Sequence, residues 1–182
     1  MSKVVAFMTS PRKNGYCSKV LNKVIEGAKS KGAEVIVYDL NEEGVKGCQG
    51  CNYCRKNEGC ATKDKLQPMY KDIEEADAIV AAFPIYFYNI SGQGKILIDR
   101  LYPVIDSSFA PRYPGKKAIT IYAQGADNAD VFKPQIDEIN KFFKAFGWDL
   151  EKTFVVAGTS SPGFKLDDKL IEDAIKAGEA LV

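Results

Sequence analysis

The chain has 182 residues, 46% of them hydrophobic and 27% charged, which fits one globular domain. Its 25 Lys and Arg against 24 Asp and Glu leave a formal charge of +1, so no basic surplus exists to hold a nucleic-acid backbone or an anionic membrane. With five cysteines and no histidine, His-containing zinc sites and Ser-His-Asp or Cys-His triads are excluded, and in a reducing compartment metal or redox chemistry is favoured over a disulfide framework.

The first apolar run, Val4 to Met8, breaks at Thr9-Ser10-Pro11 and is too short for a signal-peptide core or a membrane span, which points to the cytoplasm. It reads as a strand. Val20, Leu21, Val24, Ile25 and Ala28 then recur at helical spacing from Cys17 onward, and Glu34 to Leu40 follows the Lys31-Gly32 stop as a second strand. Residues 41–64 have no apolar periodicity and need some other organiser. A helix is predicted from about Lys65 to Ala76, then a continuously apolar strand from Ala78 to Phe83 that stops at Pro84, as expected of a central parallel strand. An aromatic loop, Ile85 to Ser91, leads to a helix over Gly92 to Val104. Ala118–Ala123 is a fourth strand, Ala129–Phe146 a helix, Phe154–Ala157 the core of a fifth strand and Leu166–Leu181 the last helix. Strands alternating with helices predict an α/β three-layer sandwich around a five-stranded parallel sheet, with the flavodoxin-like order 2-1-3-4-5. In that order the loops at 9–18, 84–91 and 123–129 converge at the carboxyl ends of the strands.

Each loop has its own chemistry. The first, Thr9 to Ser18, lacks GxGxxG and a nucleoside-triphosphate loop, but it offers hydroxyls, Arg12, Lys13 and a helix N-terminus suited to a phosphomonoester. An ordinary capped loop with solvated charges is the competing reading. The second places Phe83, Tyr86, Phe87 and Tyr88 where a flat ring could stack, or where aromatics join the core or a subunit interface. The third, Ala123 to Asn128, is small and polar and brings backbone amides toward a ligand.

TSPRKNG before a helix, the Pro84-Ile85-Tyr86 loop, and Gly94-Lys95 followed by Asp99-Arg100 resemble the flavin reductases that use reduced nicotinamide nucleotides, over roughly residues 3–158. The resemblance implies FMN. By position, Ser10, Arg12, Tyr16, Cys17 and Ser18 would hold its phosphate, and Pro84, Ile85, Tyr86, Phe87 and Asn89, with Gln124 and Gly125, would line its ring. The chain departs from the family by having Thr9 for a glycine and Tyr16-Cys17 for Asn-Thr.

Cys48, Cys51, Cys54 and Cys60 form a C-x₂-C-x₂-C-x₅-C run. Three thiolates at intervals of three with a fourth nearby suit one cubane; structural zinc and free thiols are the other readings. This spacing, after the second strand of a flavin fold, is similar to the compact motif of the archaeal-type iron-sulfur flavoproteins, which implies a four-iron, four-sulfur cluster close to FMN. Cys17 is read either as a helix-terminal thiol of lowered pKa or as a small packed residue. Asp99 is read either as a general acid or, the preferred reading, as part of a capping or subunit-contact ion pair with Arg100, and Trp148 is expected to be core.

The resulting expectation is an FMN oxidoreductase in which the flavin carries the chemistry. Its donor would be NAD(P)H or a ferredoxin and its acceptor a quinone, nitro compound, flavin or oxygen species. A homodimer or homotetramer is expected from the apolar area around residues 86–104. A flavodoxin-like electron carrier and a zinc-stabilised binding module are the alternatives, although carriers are usually strongly acidic and the charge of +1 speaks against one.

Overall fold

In the computed structural model, which describes residues 1–182, the apolar runs become strands β1 (Lys3–Met8), β2 (Glu34–Asp39), β3 (Ala78–Tyr86), β4 (Asn89–Ile90), β5 (Lys117–Ala123) and β6 (Asp149–Val156). The helices are α1 (Tyr16–Ser30), α2 (Met69–Glu75), α3 (Gly92–Arg100), α4 (Lys133–Ala145) and α5 (Asp168–Glu179). Five parallel strands lie in the order β2-β1-β3-β5-β6, which is the flavodoxin-like arrangement. The sixth, β4, pairs antiparallel with the end of β3 and is an addition to the expected five.

Alternation along the central strands fills two cores. Val5 and Phe7 of β1, with Ile79, Ala81 and Phe83 of β3, face α2, α3 and α4, whereas Val4, Ala6, Met8, Ala78, Val80 and Ala82 face α1 and α5. Each large apolar side chain removed from water on these faces contributes about 1.5–3 kcal/mol. Trp148 is core as expected, with its indole N–H donating to the Tyr113 carbonyl at 3.0 Å. No helix is long and apolar enough to cross a membrane.

Several boundaries differ from expectation. β3 continues through Pro84, which pairs with Ala123 of β5, and ends in a hairpin whose two turn residues, Phe87 and Tyr88, have φ of 43° and 70°. The predicted aromatic loop is therefore mostly the β3–β4 hairpin. β6 begins at Asp149, because as an edge strand it needs only one partner and tolerates polar residues on its open side. The long helices expected over 92–104 and 129–146 each break into an α-helix and a short 3₁₀ segment, at Tyr102–Val104 and Ala129–Phe132. α2 is shorter than its prediction, starting after Pro68.

The long segment after β2 holds only a 3₁₀ turn at Tyr53–Arg55. Its organiser is Arg100 at the end of α3, which is 1% exposed. The guanidinium donates to Asp64 Oδ2 at 2.6 Å and Oδ1 at 2.9 Å, and to the Lys46 carbonyl at 2.7 Å. The expected Asp99–Arg100 pair is thus corrected: Asp99 pairs with Lys95 on the surface of α3 at 2.5 Å, and Arg100 turns inward.

Candidate functional site

Thr9 ends β1 as a fully buried residue whose hydroxyl donates to the Ala82 carbonyl of β3 at 2.7 Å. Its own carbonyl accepts from the Ser91 hydroxyl at 2.9 Å, and that same oxygen caps α3 by accepting the Gly94 amide at 3.1 Å. A threonine where glycine is usual therefore ties the first loop to the hairpin and to α3. Beyond it, Ser10 Oγ accepts the Arg12 amide at 3.2 Å, and Ser18 Oγ donates to the Arg12 carbonyl at 2.9 Å. The loop is pulled into a hook ahead of α1.

At the start of α1 the amides of Tyr16, Cys17 and Ser18 donate to no backbone carbonyl and no side chain, as the geometry of a helix N-terminus dictates. The first two of these residues border a pocket of about 370 Å³, with Ser10, Arg12, Asn14, Gly15, Lys19, Pro84, Tyr86, Ala123 and Thr159. Two cations and a helix N-terminus with no carboxylate among them favour an anion. The Tyr16 side chain turns away, its hydroxyl donating to the Phe164 carbonyl at 2.9 Å and its ring standing edge-on to Phe164. Cys17 is packed rather than activated: burial pushes its thiol up to about 12, an effect that the Ala123 amide only partly offsets.

Of the residues expected around a flavin, Ser10, Arg12, Tyr16, Cys17, Pro84 and Tyr86 meet at this pocket, with Ser18 buried directly behind the hook. Ile85 points into the core, Phe87 is 97% exposed at the hairpin tip, and Asn89 borders a second, larger cavity. Gln124 is buried, its amide N–H₂ donating to the Asn128 carbonyl at 2.8 Å while its Oε1 has no partner. A Cβ on Gly125 would press on the Ser160 hydroxyl. Sequence reading missed Asn14, Lys19 and Thr159. Lys19 lies one turn into α1 on the loop side, a position that helical spacing could have supplied. Thr159 arrives from the loop after β6, held by its hydroxyl to the Gln124 carbonyl at 2.9 Å, and no local pattern marks it.

The second cavity, of about 1220 Å³, lies between the cysteine segment, α3 and α4. Cys48, Cys51, Cys54 and Cys60 all border it, together with Arg100 and an apolar wall that includes Ile98, Ile139 and Phe142. All four are free thiols. Cys48 Sγ accepts the Gly50 amide and Cys60 Sγ the Thr62 amide, both at 3.4 Å. Burial pushes the Cys54 thiol up. At Cys60 burial acts the same way but is outweighed by hydrogen bonding from Thr62 and by the charge of Arg100, so that thiol lies below its ordinary value. The donor set and its shared cavity fit an iron-sulfur cluster in kind and in place, while the sulfurs stand apart, with no three gathered around one point.

Comparison with known proteins agrees with this geometry. A model of the NADPH-dependent FMN reductase family matches residues 2–160. An iron-sulfur flavoprotein of Archaeoglobus fulgidus is 31% identical over 149 residues, covering 80% of this chain and 64% of its own length. One from Methanocaldococcus jannaschii is 28% identical, covering 92% of this chain and 88% of its own. This chain thus spans less than two thirds of the Archaeoglobus relative. Among solved structures, an azoreductase from Bacillus anthracis superposes with a TM-score of 0.73 at 16% identity, over 99% of this chain and all of its own, a likeness of fold. With the family match spanning β1 to the loop after β6, the chain belongs to the NADPH-dependent FMN reductase family of flavin-dependent oxidoreductases.

Proposed function

We propose that the protein binds FMN and passes electrons from NAD(P)H or a ferredoxin to a small acceptor such as a quinone, nitro compound, flavin or oxygen species. The observation that carries this reading is the meeting of the loops after β1 and β6 with the carboxyl ends of β3 and β5 at one pocket lined by Arg12, Lys19 and the first turn of α1. In it, Ser10, Arg12, Lys19 and the amides of Tyr16, Cys17 and Ser18 hold the phosphate. Pro84 and Tyr86 border the ring from the hairpin side and Gln124 and Gly125, next to Ala123, from the other, while Ile85 in the core, Phe87 at the tip and Asn89 at the second cavity shape the hairpin without lining this pocket. FMN, when bound, supplies both two-electron and one-electron redox chemistry. The chain itself binds and orients. No carboxylate borders the pocket and the Cys17 thiol stays protonated at neutral pH, so accompanying protons exchange with solvent.

We further assign Cys48, Cys51, Cys54 and Cys60 as ligands of a four-iron, four-sulfur cluster, which supplies one-electron transfer. Their common cavity, the amide-to-sulfur contacts and the relatives' names support this. A homodimer or homotetramer is supported by Phe87 and Tyr88, which are 97% and 69% exposed. The test is an anaerobic purification with flavin, iron and sulfide assays, followed by reduction with NAD(P)H in the presence of a quinone. Bound FMN, about four iron and four sulfide per chain and turnover are expected. Cys60→Ser should leave a yellow protein without the brown absorbance. Absence of flavin sinks the whole reading, and stoichiometric zinc points to a zinc-stabilised module. A yellow protein still free of iron after reconstitution is a cluster-free reductase, and one reducible without turnover is an electron carrier.

A further inference from the structure

The cysteine segment runs between two residues that meet at Arg100. Lys46, before Cys48, offers its carbonyl to Arg100 Nη1 at 2.7 Å and its amide to Asp64 Oδ2 at 2.9 Å. Asp64, four residues after Cys60, accepts both arms of the guanidinium and also the Leu66 amide at 3.2 Å. Arg100 Nε donates to the Tyr70 hydroxyl at 3.1 Å, and that hydroxyl donates back to the Arg100 carbonyl at 3.0 Å. Both side chains of the Asp64–Arg100 pair are fully buried. The pair is also oriented: Arg100 borders the cavity shared by the four cysteines and Asp64 does not.

We propose that Asp64 and Arg100 are positioning residues for the cysteine ligands, closing both ends of the segment and turning the positive end of a buried ion pair toward the sulfurs. The proposal rests on the cluster assignment above. Two physical consequences separate it from a role in folding alone. First, a segment whose ends are fixed loses less chain freedom when its thiolates gather around iron, so iron is retained longer. Second, a buried cation facing a group that gains an electron favours the reduced state, and its carboxylate partner behind it opposes that effect. Neutralising either member therefore moves the potential in opposite directions.

The experiment compares D64N, R100Q and the D64N/R100Q pair with the wild-type chain, each purified and reconstituted anaerobically with iron and sulfide. Flavin content reports on the fold, since the flavin pocket is built by other loops. Iron loss to a chelator and the cluster midpoint potential are then measured. We expect each single variant to lose iron roughly 10- to 100-fold faster, the range found when groups supporting metal ligands are removed. The potential should fall in R100Q, rise in D64N and return toward wild type in the double variant. Iron retention within about twofold of wild type in D64N and R100Q, or shifts of the same sign in both, overturns the proposal and leaves the cluster assignment standing. A wild-type chain that takes up no iron overturns both. If R100Q does not fold, the near-isosteric D64N decides by its retention and potential.

Discussion

Removing Ser10 and Arg12 together tests the anion pocket most directly. Arg12 is exposed and forms no ion pair in the protein, so its guanidinium is free for a ligand and its loss disturbs nothing buried. A charge-assisted hydrogen bond contributes about 1.5–3 kcal/mol and a neutral one about 1 kcal/mol. The Ser10 hydroxyl is 5% exposed and already accepts the Arg12 amide, which limits its share to the lower figure. The S10A/R12A variant should therefore lose about 2–4 kcal/mol of FMN binding, or roughly 30- to 700-fold in Kd. Flavin fluorescence titration of the apoprotein reads this, with riboflavin as the control. Because riboflavin has the same ring and no phosphate, its affinity should change by less than about threefold. An FMN affinity that stays put, or a riboflavin affinity that falls equally, would refute the phosphate assignment.

The remaining predictions bear on packing, thiol chemistry and assembly. A Cβ on Gly178 would fall inside the Val24 carbonyl of α1; overpacking of about 3 kcal/mol, less about 1 kcal/mol of helix propensity gained, leaves G178A about 2 kcal/mol less stable. Its Tm should drop by roughly 4–8 °C in a thermal melt, and an unchanged Tm would mean that α1 and α5 separate freely. In the metal-free protein, alkylation at neutral pH should modify Cys48, Cys51, Cys54 and Cys60 and spare Cys17, whose buried thiol ionises only near 12. Within that group Cys60, held below the ordinary thiol value of 9.0, should reach half-maximal reactivity at lower pH than Cys54, which is held above it; peptide mapping across pH 6 to 10 tests the order. Light scattering at micromolar concentration should find at least a dimer, and a monomer would contradict the role given to the Phe87 and Tyr88 surface.

The strand order was readable because β1 and β3 carry continuous apolar runs, and β5 one broken only by Thr120, that only a doubly covered sheet can bury. The hairpin was not. Pro84 reads as a stop, and Phe87-Tyr88 lacks the Asn-Gly signal that announces a two-residue turn. In the site, the hook around Ser10 and Arg12 was visible because its residues are contiguous, whereas Thr159 reaches the pocket only through bonds to the loop after β5. The cysteines declared themselves by spacing. Their clasp did not, since Asp64 and Arg100 are 36 residues apart and each looks like a surface charge in its own local sequence.

The β3–β4 turn carries a tension of its own. Two bulky aromatic residues occupy left-handed backbone, a conformation that costs roughly 1–2 kcal/mol per residue outside glycine, and they also hold their rings in water. Within a lone protomer only the edge-on contacts of Tyr88 with Phe87 and Phe132 offset part of these penalties. A designer seeking only a robust monomer would write the turn as F87N and Y88G, gaining backbone ease and solubility together. The native pair instead keeps a strained and largely exposed apolar tip, so the same two residues that weaken the solitary chain are the ones a covering surface would relieve.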